Sequence, residues 1–227
     1  MWIYKYWINT RTPLYSFLFT VPLFFIYEIG IFLTSYSDMV SMRNGADALM
    51  RQILSAFGMN GFYWMGVIFF LGFILVFIYQ KQYWHDMEVN SEFLPLMLAE
   101  SMAWAMGLYF FMSNVYILLM NPNGSILIQQ VTLAVGAGIY EEILFRVILI
   151  AAIGSILGFI FQWSDMLKNW VAMVIAAGIF SSFHFIGEYE DYFSFNIFMV
   201  RFFAGILLGI LYFMRGFGIT AWTHAIY

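Results

Sequence analysis

The sequence predicts an all-α protein: a polytopic bundle of about seven transmembrane helices plus one interfacial amphipathic helix. Three observations lead there. The 227 residues are 63% hydrophobic and only 10% charged, where a soluble domain carries about 25% charged residues. Residues 52–80 and 101–140 contain no Asp, Glu, Lys or Arg, and about 20 apolar residues in a helix cross ~30 Å of hydrocarbon. Within these runs the apolar residues are continuous and do not alternate with period two, which selects helices over a membrane barrel.

The same composition removes other classes. Nine Lys and Arg against thirteen Asp and Glu give a net charge of −4, with no basic stripe to follow a phosphate backbone, so nucleic acid is not an expected partner. Disorder needs low hydrophobicity and many charges. The absence of cysteine removes disulfides, thiolate metal sites and a Cys nucleophile.

Taken in order, the first span is expected from Leu14 to Tyr36, long enough to be a true span and not a cleavable signal peptide. Between it and the second span, Asn44 to Phe57 places Ala46, Leu49, Met50, Ile53, Leu54 and Phe57 at helical spacing, as an interfacial helix does. The second span covers Gly61 to Tyr79, and the third runs from Phe93 to Met120, where Asn121-Pro122-Asn123-Gly124 signals a turn. The fourth starts near Ile126 and extends, kinked or broken, to Phe161. The fifth covers Trp170 to Gly187 and the sixth Phe195 to Met214, and a last segment begins near Gly216 and is half built at Tyr227. With a cytoplasmic N-terminus, Lys5, Arg11, Lys81, Lys168 and Arg215 fall on the cytoplasmic side and Arg43 and Arg51 on the other, as the positive-inside rule asks. Residues 1–92 are then N-terminal membrane helices with their connector, and residues 93–227 a helix bundle that completes one structural unit.

Ionisable side chains inside membrane helices cost a few kcal/mol each, so each is a functional candidate. The expected spans contain Glu28, Glu100, Glu141, Glu142, Arg146, His184, Arg201 and His224. His85 falls instead in the charged loop between Lys81 and Glu92. In Tyr140-Glu141-Glu142-Ile143-Leu144-Phe145-Arg146, helical geometry puts Glu142 and Arg146 one turn apart, suited to an i,i+4 ion pair. Glu141 points elsewhere, with no local cation. A buried carboxylate without a counter-charge holds a proton more tightly, as a general base for water activation must.

Several hydrolytic toolkits are missing. The sequence has no HExxH and no G-x-S-x-G. All five aspartates (Asp38, Asp47, Asp86, Asp165 and Asp191) fall in expected connecting segments, which leaves no intramembrane aspartyl dyad. Glutamate with two histidines is what remains. Such a set either binds one divalent cation that acidifies water, or runs metal-free with Glu as base and His as proton partner and oxyanion donor.

At these residues the chain resembles a known family. Glu141-Glu142-x-x-x-Arg146, Phe180-x-x-x-His184, Phe202-x-x-Gly205-x-x-x-Gly209 and His224 stand in the order of the motifs of the CPBP family, also called the Abi or CAAX-protease-and-bacteriocin-processing family. It includes the Rce1-type CAAX prenyl endopeptidases, and the resemblance covers roughly residues 93–227. It implies an intramembrane endopeptidase in which Glu141 activates water and His184 acts at the same water or metal. Glu142 and Arg146 would brace the site, His224 would hold the oxyanion, and Gly205 and Gly209 would let helices approach closely. Metal dependence stays open, with Glu141, His184 and His224 as the ligands if a Zn2+ ion is used. The implied partners are the bilayer and a peptide or protein substrate, prenylated or not, and the implied place is a bacterial cytoplasmic membrane. The family's last motif continues to Asn or Asp four residues after its histidine, beyond Tyr227, so either the polypeptide continues or another residue substitutes. Two further readings stand beside this one: a non-catalytic membrane partner such as a bacteriocin-immunity protein, and a proton-coupled transporter using Glu28, Glu100 and Glu141 as a relay.

Overall fold

The structure is a computed structural model that describes residues 2–33, 43–59, 89–113, 124–186 and 192–227, with scattered positions between 66 and 78. All regular structure among the described residues is helical. A short α1 (Trp2–Asn9) precedes α2 (Pro13–Leu33), and α3 (Gly45–Ala56) and α4 (Phe93–Ser113) follow. One long helix then runs as α5 (Gly124–Gly136), two π-helical segments (Ala137–Glu141 and Ile143–Leu149) and α6 (Ile150–Phe161). α7 (Asp165–Phe183), α8 (Phe195–Arg215) and the short α9 (Phe217–Ile226) complete the chain.

Among the described residues, five helices are long and apolar enough to cross a membrane: Pro13–Leu33, Phe93–Met112, Leu127–Phe161, Asp165–Phe183 and Phe195–Arg215. The chain is therefore an integral membrane protein with an all-α bundle. The expected second span, Gly61 to Tyr79, lies largely outside the described residues, as do residues 114–120 at the end of the expected third. The expected fourth span is one continuous 35-residue helix. At ~1.5 Å per residue it measures about 50 Å, well beyond the hydrocarbon thickness.

Local chemistry sets the ends. Pro13 opens α2 at a first-turn position, where its missing N–H costs nothing. Ser164 caps α7 by accepting from the Leu167 N–H, which starts that helix five residues earlier than the expected Trp170. Gln162, with φ 51°, ends α6 in the left-handed conformation. Gly216, with φ 80°, separates α8 from α9 at the expected break.

α9 occupies the middle of the bundle, packed against α2, α4, α8 and the first π segment. Ala221 joins Tyr27 and Ile31 of α2 and Ile139 and Tyr140 of the π segment in one buried cluster. Ile219 joins Tyr15, Phe19, Met97 and Leu211 in a second. α7 packs between α6 and α8. There a Cβ on Gly205 would lie 3.1 Å from the Ala177 Cβ, and one on Gly209 2.6 Å from the Met173 Cγ. Gly205 and Gly209 thus form the small-residue seam through which α8 meets α7.

α3 falls within the expected Asn44 to Phe57 stretch, and its N-terminal end is drawn into the bundle. Its first turn is buried, with Ala46 and Asp47 inaccessible, and the helix packs on the first π segment. The expectation that Asp47 sits in a loop is wrong for a physical reason. A buried carboxylate is tolerated when several donors surround it, and here Arg43, Arg51 and Tyr27 all do.

Candidate functional site

Glu141 is the last residue of the first π-helical segment, and Glu142 alone stands between the two segments with a regular α turn. A π turn is wider than an α turn, so consecutive side chains diverge less around the axis. Both carboxylates are buried, Glu141 at 5% exposure and Glu142 at 0%. Ideal α geometry points Glu141 away from the Glu142 side. In the structure the two flank a single imidazole, that of His224 on α9.

His224 Nδ1 lies 2.6 Å from Glu142 Oε1, and its Nε2 lies 3.9 Å from Glu141 Oε2. A carboxylate only accepts, so Nδ1 carries the proton and donates to Glu142. Glu142 Oε1 also pairs with Arg146 Nη1 at 3.1 Å, the i,i+4 pair that the spacing suggests. Arg146 Nη2 donates to the Gly205 carbonyl at 3.4 Å, and the guanidinium lies 4.6 Å over the Phe180 ring. Among the described residues Glu142 Oε2 is buried with no hydrogen-bond partner.

Glu141 is held from outside its own helix. Asn44 Nδ2 donates to Glu141 Oε1 at 2.8 Å, across 97 residues of chain. Asn44 also caps α3, its Oδ1 accepting from the Ala46 N–H at 2.9 Å. The Asn44 backbone N–H donates to the Tyr27 hydroxyl at 3.2 Å, and that hydroxyl donates to Asp47 Oδ2 at 2.9 Å. Arg43 and Arg51 reach the two Asp47 oxygens at 2.6 and 2.7 Å. Burial opposes the charge on Arg43, and Asp47, helped by Tyr27 and Glu28, more than offsets it, so this guanidinium holds its proton more tightly than usual. Sequence reading did not single out Asn44. Its only local signal is an N-cap residue before an amphipathic stretch.

His184 stands at the C-cap of α7. Its Nδ1 is 2.9 Å from the Phe180 carbonyl, which fixes the proton on Nδ1 and leaves Nε2 as an acceptor. Phe180 joins the two imidazoles: its ring centroid is 5.0 Å from that of His184 and 6.2 Å from that of His224. The charges on Glu141 and Arg201 and the His224 ring act on His184 through space. His184 and His224 are thus neighbours across one phenyl ring.

Other flagged residues are used elsewhere. Glu100 accepts from Arg215 Nε at 2.5 Å and Nη2 at 2.7 Å, and from the Tyr6 hydroxyl at 2.6 Å. Arg215 is fully buried. Glu28 receives the Tyr140 hydroxyl at 3.4 Å and lies 3.6 Å from Arg51. Arg201 lies 5.5 Å over the Phe185 ring. His85 is outside the described residues. Among the described residues no three His, Asp or Glu side chains are grouped closely enough to hold a metal ion. The donors Glu141, His184 and His224 therefore do not form a ready metal site in this arrangement, and no step below is routed through one.

Residues 122–227 match the family model described as type II CAAX prenyl endopeptidase Rce1-like. Comparison with curated proteins and with solved structures gives no match. The matched stretch holds Glu141, Glu142, Arg146, His184 and His224, while Asn44, α2 and α4 lie outside it. Over residues 122–227, a little under half of the chain, the sequence is thus similar to the Rce1-like CAAX prenyl endopeptidases.

Proposed function

We propose that this protein is an intramembrane endopeptidase whose hydrolytic water is activated by Glu141. The observation that carries the reading is the imidazole of His224 lying between the paired glutamates, 2.6 Å from one and 3.9 Å from the other, inside a Rce1-like domain. The wider gap, between Glu141 Oε2 and His224 Nε2, leaves room for a water oxygen to hydrogen-bond to both.

In this mechanism Glu141 Oε2 takes one water proton as the oxygen attacks the peptide carbonyl, and later passes that proton to the leaving nitrogen. With Nδ1–H given to Glu142, a proton on His224 Nε2 is what would donate to the developing oxyanion, and Glu142 supplies the balancing charge because Glu141 by then holds the water proton. His184 Nε2, an acceptor, shares the attacking water with Glu141. Arg146 pairs with Glu142 Oε1 and pins it beside His224. The substrate fits a cavity of about 930 Å³ lined by apolar side chains such as Met50, Leu54, Ile143, Leu144 and Phe217. Tyr140, one residue before Glu141 in the chain, lies in its wall, while Glu141, Glu142, His184 and His224 do not line it.

The test is turnover of an internally quenched, farnesylated CAAX peptide by purified protein in proteoliposomes. Glu141→Gln should lower kcat by about 10³-fold, within the range for loss of a general base, with thermal unfolding unchanged. Wild-type turnover that survives in both Glu141→Gln and His224→Ala overturns the proposed site. Folded wild-type protein that leaves the peptide intact overturns the endopeptidase reading.

A further inference from the structure

An N-cap needs only an oxygen, and Ser, Thr or Asp supplies one as well as Asn does. Asn44 uses its Oδ1 for that purpose, on the Ala46 N–H, and has an amide nitrogen left over. That nitrogen is not turned to solvent. Asn44 is 8% exposed, and Nδ2 lies 2.8 Å from Glu141 Oε1. The amide cannot be reversed, because a flip would set two donors against each other at Ala46 and two acceptors at Glu141. Its backbone is fixed as well, through the Tyr27 hydroxyl to Asp47 and on to Arg43 and Arg51.

We propose that Asn44 is a positioning residue of the hydrolytic site: its amide N–H engages Glu141 Oε1, so that Oε2 alone faces His224 and the water. The inference rests on the reading of Glu141 as the base. A carboxylate free to rotate would present either oxygen in turn and spend much of its time misaligned. One donor from an independent element removes that freedom, as second-shell partners do for catalytic and metal-bound side chains. The α3 segment, N-terminal to the matched domain, thereby completes the site.

Full-length Asn44→Asp, Asn44→Ser and Asn44→Ala variants separate this role from capping. The measurements are thermal unfolding and turnover of the farnesylated CAAX peptide at mildly alkaline pH, where an aspartate is ionised. Ser caps, so its unfolding temperature should stay near wild type while Ala falls below; Asp also caps, but its carboxylate against Glu141 lowers its unfolding temperature. Turnover should follow a different order. Ser loses kcat by about 10–100-fold at unchanged KM, and Asp loses more because it opposes Glu141 with a second anion. Turnover that follows stability, with Asp as active as Asn, overturns the proposal.

A second readout does not depend on turnover. The infrared carboxylate stretch that disappears in Glu141→Gln should shift in Asn44→Ser, and an unshifted band also overturns the proposal. If Asn44→Asp fails to fold, Asn44→Ser decides by the same two measurements. The two readings fail separately. Activity that survives Glu141→Gln removes the base itself. An inactive Glu141→Gln beside a fully active Asn44→Ser removes only the positioning role.

Discussion

Among the described residues, Arg215 and Arg146 are buried guanidinium groups that each pair with a glutamate, and the two pairs are satisfied to very different degrees. In Glu100–Arg215 both carboxylate oxygens are bonded by the guanidinium, and Tyr6 and Trp104 add further donors. Arg215 in turn reaches the Trp7 carbonyl and the Thr10 hydroxyl, and lies 4.0 Å over the Trp7 ring. In Glu142–Arg146 a single oxygen carries both the arginine, at 3.1 Å, and His224, at 2.6 Å, while Glu142 Oε2 is buried without a hydrogen bond among the described residues. An unsatisfied buried polar atom costs about 1–3 kcal/mol, and a native fold carries few of them. The first pair ties α1, α4 and α8 together. The second bears a cost that packing does not return, as a group kept for chemistry does.

Breaking each pair should therefore fail in a different observable. The largest effect is expected from Arg215→Ala, which leaves Glu100 partly buried without its cation. The loss should be about 3 kcal/mol of stability, at the low end for a broken buried pair because Glu100 is partly exposed. Thermal unfolding in detergent measures it, with turnover per folded molecule largely kept. Glu142→Gln comes next. Peptide turnover should fall by about 10–100-fold while the unfolding temperature moves little. If it lost as much stability as Arg215→Ala, the contrast between the pairs would be gone.

Gly138→Ala probes the contact between the site helix and α9. A Cβ there would lie 2.5 Å from the Ala221 carbonyl oxygen and 2.7 Å from the Ala225 Cβ. Overpacking of this kind costs about 1–3 kcal/mol and should lower turnover as well, because His224 moves with α9. The smallest effect is expected from Tyr27→Phe, which removes the hydroxyl between the Asn44 N–H and Asp47. About 1 kcal/mol of stability and a few-fold loss of kcat should follow, and a change in KM alone would contradict this account.

What the sequence revealed divides along the same line. Continuous apolar runs locate the spans, because crossing a bilayer is a demand on composition and length. Glu142 and Arg146 are one turn apart, so their pairing can be read locally. The break at Gly216 is equally local. Three features depend on tertiary partners and carry no such signal. The periodicity of α3 is the same whether its apolar face meets lipid or the bundle, so neither the burial of Asp47 nor the reach of Asn44 to Glu141 can be read from it. The π turns have no compositional mark, so the joint approach of Glu141 and Glu142 to one imidazole contradicts ideal helical geometry. Arg215 resembles a headgroup-facing cation until Glu100, 115 residues away, is placed beside it.

α9 lies at the centre of the helices around it and carries His224 to the paired acids. The helix that bears Glu141 and Glu142 does not hold the imidazole itself, so the three side chains meet only once α9 is seated. Their arrangement belongs to the closed bundle and to no separate part of it.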